Sequence, residues 1–304
     1  MRNLADIKYR IKGISQTRQI TGAMETVSVA KMRKAMQKYR NNILYFNRLL
    51  QTARDIAAHS GNVRHKYLTP AQGGRAVFIV IAGEKGLAGG FNHNLLEFAW
   101  NEMQKSKERY IFTVGQPARE FFEQRKASVD IEFLYATHNP SQEDAAAIAE
   151  SVVNLYGQGF MDEVYVIYTA METSLSMRPE CVKLLPLTDS GHAACHGDTV
   201  PDPACRETCP PDPAAVRQHY ELYYEPAAGD VLDALVPEYL TGALYGCLLQ
   251  SAASEHSSRV TAMSSATRNA DEIIEKLNVA YHRARQEAVT NEMLEIMSAA
   301  GGVR

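Results

Sequence analysis

The first 69 residues contain no proline, and from Leu4 onward apolar side chains return at three-four spacing: Leu4, Ile7, Ile11 and Ile14, then Met32, Ala35, Tyr39, Ile43, Phe46, Leu50 and Ala53. That pattern is one long helix, and from Asn3 to Ala57 it runs roughly 80 Å at about 1.5 Å per residue, far more than a small domain is wide. The other end of the chain mirrors it. From Gly229 to Ala299 the one proline is Pro237, and Met263, Ala266, Ala270, Ile273, Leu277, Ala280, Ala284, Ala288 and Met293 keep a near-heptad spacing over a helix of roughly 105 Å. Pro237 predicts a kink or a restart near the base of this helix. Neither helix can bury its stripe alone. The economical solution is a long antiparallel coiled coil of N- and C-terminal helices with a domain inserted between them.

Between Ile14 and Met32 the N-terminal stripe changes character, because its positions are held by Arg18, Thr21, Glu25 and Ser28, with Gly13 and Gly22 close by. Each glycine costs about 1 kcal/mol of helix propensity relative to alanine. A plain two-stranded coil gains nothing from weakening its own seam, so the stretch ITGAMETVSVAKM predicts a helix surface touched by something other than the partner helix. Met24, Met32 and Met36 fit an adaptable contact surface or plain core.

The middle alternates short β-branched and aromatic runs, at Ala76–Ala82, Tyr110–Val114, Ser128–Phe133 and Glu163–Tyr168, with helical patterns at Asn92–Lys105, Pro117–Lys126 and Gln142–Tyr156. This is the signature of an α/β unit with a largely parallel sheet, a Rossmann-like βαβ domain. Runs at Glu180–Leu187 and His219–Tyr224 complete an edge or lead into the last helix. The division expected is therefore an N-terminal coiled-coil helix over 1–60, the α/β domain over 75–187, an insert over 188–218, and a return strand with the C-terminal coiled-coil helix over 219–304.

At 45% hydrophobic residues the 304-residue chain can bury a full core. Its formal charge of -3 gives no reason to propose nucleic-acid binding. Charge is unevenly spread: residues 1–54 carry a net +10 and residues 229–304 a net -4, as if the two ends meet each other or a charged partner. The most apolar run, Tyr239–Ala253, is broken by Thr241, Gly242, Gln250 and Ser251, so no segment reaches the roughly 18 apolar residues of a membrane span. MRNLADIKYRIKG lacks the apolar block of a signal peptide, and five cysteines fit a reducing compartment.

Gly83, Gly86, Gly89 and Gly90 follow the first strand in GEKGLAGGFN, where a dinucleotide fold places its phosphate turn. The spacing is not G-x-G-x-x-G, no Gly-Lys-Ser/Thr ending is present, and the second strand ends on Val114 and Gly115 rather than an acid. A turn that lets strand and helix pack closely is the simpler reading. There is no G-x-S-x-G elbow and no H-E-x-x-H helix, and Glu255 and His256 read as a solvated face.

The N-terminal LADIKYRIKGISQTRQITGAMETVSVAKMRKA and the C-terminal ASEHSSRVTAMSSATRNADEIIEKLNVAYHRARQEAVTNEMLEIMSAA strongly resemble the gamma subunits of F-type ATP synthases, in order and at the right ends. GEKGLAGGFN resembles that family's glycine-rich turn, and LYYEP resembles its membrane-side foot. The resemblance implies a rotor shaft inside a ring of three alpha and three beta subunits, coupling transmembrane proton flow to ATP synthesis or hydrolysis at the beta subunits. It implies no catalytic site, cofactor or small-molecule substrate of the chain's own. The α/β domain would sit on the membrane c-subunit ring and bind the epsilon subunit, as a peripheral protein on the cytoplasmic face of the cell membrane. Stator contacts carried over residue by residue are Met24, Glu25, Lys31, Arg259, Arg268, Arg285, Gln286, Thr290 and Glu292. Tyr224 and Glu225 would lie at the foot, and Arg18, Arg33 and Lys34 could meet acidic beta-subunit loops. A nucleotide-dependent βαβ enzyme with coiled-coil arms, and a coiled-coil tether or chaperone, are the rival readings.

Residues 188–218 hold three of the five cysteines and five of the twelve prolines. That composition predicts an irregular surface insert. Three chemistries stay open: incidental thiols on a proline-rich loop, a thiol switch using Cys205 with Cys209 or Cys195, and a zinc site drawn from His192, Cys195, His196, Cys205 and Cys209.

Overall fold

The computed structural model describes residues 4–59, 65–69, 73–106, 108–134, 137, 139–173, 176–187 and 227–301. They form two compact units, one of residues up to 29 together with those from 259 on, the other of residues 30–258.

The first unit is built from two helices. Helix α1 spans Leu4–His59 and α5 spans Ala228–Gly301, and the unit takes the beginning of one and the end of the other. They run antiparallel: the Thr21 and Thr267 hydroxyls are 2.7 Å apart, and three residues earlier on α1, Arg18 pairs with Asp271, four residues later on α5. Ile7, Met263 and Ala270 are buried. Two positions in the polar stretch of α1 depart from expectation. Thr21 and Ser28 are themselves buried, so they belong to the seam rather than to an outward surface. Small hydroxyl residues fit there because each returns its hydrogen to its own helix, Thr21 to Arg18 O at 3.0 Å and Ser28 to Met24 O at 2.7 Å, leaving no buried donor unmatched. The heptad stripe of α5 is a second departure. At the observed register Leu4 lies opposite about residue 284, so beyond it α5 has no partner helix among the described residues. Val289, Met293, Leu294, Ile296 and Met297 are exposed, Met297 to 70%.

The second unit is a three-layer α/β arrangement. Strands β1 (Arg75–Ile81), β2 (Glu108–Val114), β3 (Ile131–Phe133), β4 (Glu163–Met171) and β5 (Met177–Leu185) form one sheet in the order β3-β2-β1-β4-β5. The first four are parallel and β5 is antiparallel to β4. Six consecutive residues of β1, Ala76 to Ile81, are buried, as a strand covered on both faces requires. On one face Val77, Ile79 and Ile81 pack with α4 (Gln142–Gly157), with Phe46 and Leu50 of α1, and with Leu240, Leu244 and Leu248 of α5. On the other, Ala76, Phe78 and Val80 pack with α2 (Phe91–Met103) and α3 (Gln116–Gln124). At roughly 1.5–3 kcal/mol for each fully buried large aliphatic side chain, these two layers are the main source of cohesion.

Local chemistry sets the element ends. Ser141 and Asp144 form a reciprocal capping box at the start of α4. Gly115 holds φ +97° between β2 and α3, where a side chain would be strained and its Cβ would come within 2.9 Å of Ala82 O. Pro237 neither stops nor restarts α5, which runs through it, and the Thr241 hydroxyl takes the Pro237 carbonyl at 2.9 Å. The third strand is shorter than its sequence pattern. The return strand expected at 219–224 lies outside the described residues.

Candidate functional site

Most of the residues singled out from the sequence as contacts to other subunits lie in the two-helix unit. Met24 and Glu25 are half-buried on α1, and Arg268, Arg285, Gln286, Thr290 and Glu292 are exposed on α5. Register divides them into two groups. Met24, Glu25 and Arg268 lie where both helices are present, whereas Arg285, Gln286, Thr290 and Glu292 lie on the stretch of α5 that α1 does not accompany, with Thr290 bonded to Gln286 O at 2.8 Å. Arg259 differs from the rest: it is only 6% exposed, so it has little surface to offer another chain. Lys31 belongs to the second unit and is exposed. A Cβ at Gly13 or Gly22 would meet nothing within 4 Å, so the chain's own packing does not require glycine at either position. Tyr224, Glu225, His192, Cys195, His196, Cys205 and Cys209 lie outside the described residues.

In the second unit the glycine turn after β1 is folded back on its own chain. Asn92 of α2 accepts from Gly83 N–H at 2.8 Å and donates to Gly83 O at 3.1 Å. The backbone amide and carbonyl that open the turn are thereby used internally rather than aimed at a phosphate. Glu255 closes the same turn from α5. It is buried, at 5% exposure, and a Cβ on Gly83 would stand 2.7 Å from its Cδ. The solvated face expected at Glu255 is therefore corrected: helical spacing alone does not register that α5 passes over the strand ends.

A polar ladder continues along α5. Gln250 accepts from Met171 N–H at 3.1 Å, Ser251 donates to Ile81 O at 3.2 Å, Ser254 to Thr169 O at 3.0 Å and Ser258 to Ala88 O at 2.6 Å. The C-terminal ends of β1 and β4, where a doubly wound sheet opens its ligand crevice, are thus filled by the chain itself. The sequence reading missed these residues. The signal was present in LLQSAASEHSS, whose serines at 251, 254 and 258 recur at helical spacing on an otherwise apolar face.

Electrostatics at the opposite end of the sheet serve structure. Arg75 reaches Asp162 through two guanidinium bonds of 3.0 Å and its backbone N–H at 3.1 Å, and this holds the Asp162 carboxyl below its ordinary value. Burial pushes Tyr156 and Cys181 up to about 12, which leaves the Cys181 thiol protonated and unreactive at neutral pH.

The family model described as ATP synthase matches residues 3–303. The ATP synthase gamma chain of Ruminiclostridium cellulolyticum is 38% identical over 305 residues, covering 99% of each chain. A gamma chain from Acetobacterium woodii described as sodium ion specific is 33% identical over 303 residues, covering 98% of each. In fold the chain is similar to one in the Euglena gracilis mitochondrial ATP synthase in rotational state 3, with a TM-score of 0.64 at 15% identity, over 98% of this chain and 94% of that one. It is also similar to one in the central stalk and c-ring of the Tetrahymena thermophila enzyme, with a TM-score of 0.57 at 20% identity, over 81% of this chain and 99% of that one. With the model spanning nearly every residue and relatives matched end to end, the chain belongs to the gamma-chain family of the ATP synthases.

Proposed function

We propose that the chain is the rotor shaft of an ATP synthase, a non-catalytic subunit that carries rotation between an ion-driven membrane ring and catalytic sites on other subunits. The observation that carries this reading is the end of α5. From residue 289 on it presents Val289, Met293, Leu294, Ile296 and Met297 as exposed, with no helix beside them among the described residues, which is costly for a lone subunit and suits a shaft tip seated in a collar. Three alpha and three beta subunits form that collar. The α/β domain contacts the epsilon subunit and the c-subunit ring on the cytoplasmic face of the membrane, and among the described residues no helix is long and apolar enough to cross it.

The mechanism follows from asymmetry. Two helices of unequal extent present a different set of side chains in each direction, so each surrounding catalytic site meets different contacts at any angle. A contact that favours one conformation of a site shifts its population and hence its nucleotide affinity, and rotation moves that bias from site to site. Met24, Glu25, Lys31, Arg268, Arg285, Gln286, Thr290 and Glu292 are the side chains proposed to make those contacts. The coupling ion, proton or sodium, is chosen by the membrane ring. Purifying the tagged chain from its native membrane tests the reading: ATPase subunits should co-purify in fixed ratio, and a chain recovered alone from gently solubilised membranes would overturn it.

A further inference from the structure

Along most of its length in the second unit α5 meets the sheet through apolar side chains such as Leu240, Leu244 and Leu248. Apolar burial is non-directional, so such a contact resists separation more than it resists turning or sliding. At Gln250 the contact changes kind. Gln250, Ser251, Ser254 and Ser258 stand at i, i+1, i+4 and i+8, which places them within about 100° of one helix face. Each bonds a backbone group held elsewhere: the end of β1, two points on β4, and the glycine turn. Ser251 and Ser254 are buried, and hydrogen bonds depend steeply on angle, so these bonds fix both the rotation and the height of the helix.

Three hydroxyls of α1 behave differently. Thr26, Ser28 and Thr52 donate to carbonyls four residues back in their own helix, as hydroxyls in helix interiors commonly do. At 251, 254 and 258 the hydroxyls reach outward to the sheet and its turn.

We infer that Gln250, Ser251, Ser254 and Ser258 are positioning residues for energy coupling: they key α5 to the sheet, so that turning the α/β layer turns the helix without slip. This rests on the rotor reading. The test uses the assembled complex in sealed vesicles and reads ions pumped per ATP hydrolysed against an opposing gradient, together with thermal stability. One variant is Ser251→Ala/Ser254→Ala/Ser258→Ala; the comparison is Leu248→Ala, which removes apolar packing from the same helix but leaves every keying bond. The triple variant should assemble and hydrolyse ATP while its pumping ratio falls about two-fold or more, whereas Leu248→Ala lowers the melting temperature and keeps the ratio. A triple variant with the wild-type ratio, or a Leu248→Ala ratio that falls equally, would overturn the inference. Failure of the chain to assemble with ATPase subunits even as wild type would instead overturn the rotor reading, so the two failures are distinct.

Discussion

The hydroxyls of Thr21 and Thr267 face each other across the antiparallel helices at 2.7 Å, in a seam otherwise lined by residues such as Met263 and Ala270. A hydroxyl pair among apolar neighbours is made at one register and lost when the helices slip, so it favours that alignment. Thr21→Val or Thr267→Val alone leaves its partner short of one bond and should cost about 1 kcal/mol, whereas the double variant should cost less than the two singles combined. A double-mutant cycle from urea unfolding of the chain measures the difference, and strict additivity would show that the hydroxyls are not coupled.

Met24 is half-buried in the same helix pair. Met24→Lys places a charge where a flexible apolar side chain is proposed to slide past other subunits, making a contact that must break in every turn. Pumping per ATP hydrolysed should fall in reconstituted vesicles with the complex intact. An unchanged ratio would remove Met24 from the bearing.

Gly83 has no room for a side chain. Gly83→Ala sets a methyl against the side chain of Glu255, which is itself buried and must shift to make room, and should destabilise the second unit by about 1–3 kcal/mol. Thermal unfolding of the chain reads this directly. Gly86→Ala, where a Cβ would meet nothing within 4 Å, is the control and should be close to neutral.

Asp162 makes stability depend on pH at the acid end. Its carboxyl is held low by Arg75, so the ionised form is favoured in the folded chain and the pair contributes fully above the unfolded value of about 3.9. That contribution is lost as pH falls through the folded value. The gap in melting temperature between wild type and Asp162→Asn should therefore be steady from about pH 5 to 7 and close below about pH 4. A gap that widens toward acid would contradict the pairing.

The glycine turn should bind neither ATP nor NAD tightly in the purified chain, because Asn92 occupies Gly83's backbone groups and α5 fills the strand ends. Isothermal titration checks this, and micromolar binding abolished by Gly86→Val would restore the enzyme reading.

The sequence by itself determined the two long helices, the α/β middle and the family, because periodicity over dozens of residues is a local property that tertiary context rarely overrides. The same locality explains what it misplaced. Thr21 and Ser28 looked like a surface for something other than the partner helix because polar residues weaken a seam, but each can satisfy its hydroxyl within its own helix and stay in the seam. Glu255 looked solvated for the same reason, and nothing in its neighbours along the chain announces Gly83, 172 positions away. Pro237 predicted a kink or a restart, and of these the restart does not occur, since α5 runs through it. Only the tertiary structure decided where α1 runs out beside α5, with the apolar end of α5 exposed among the described residues, and that the hydroxyls of Ser251, Ser254 and Ser258 leave their helix for the sheet. Those outcomes depend on which surfaces meet across long separations in sequence, and a hydrogen bond is decided by ångströms and angles that no spacing along one helix contains.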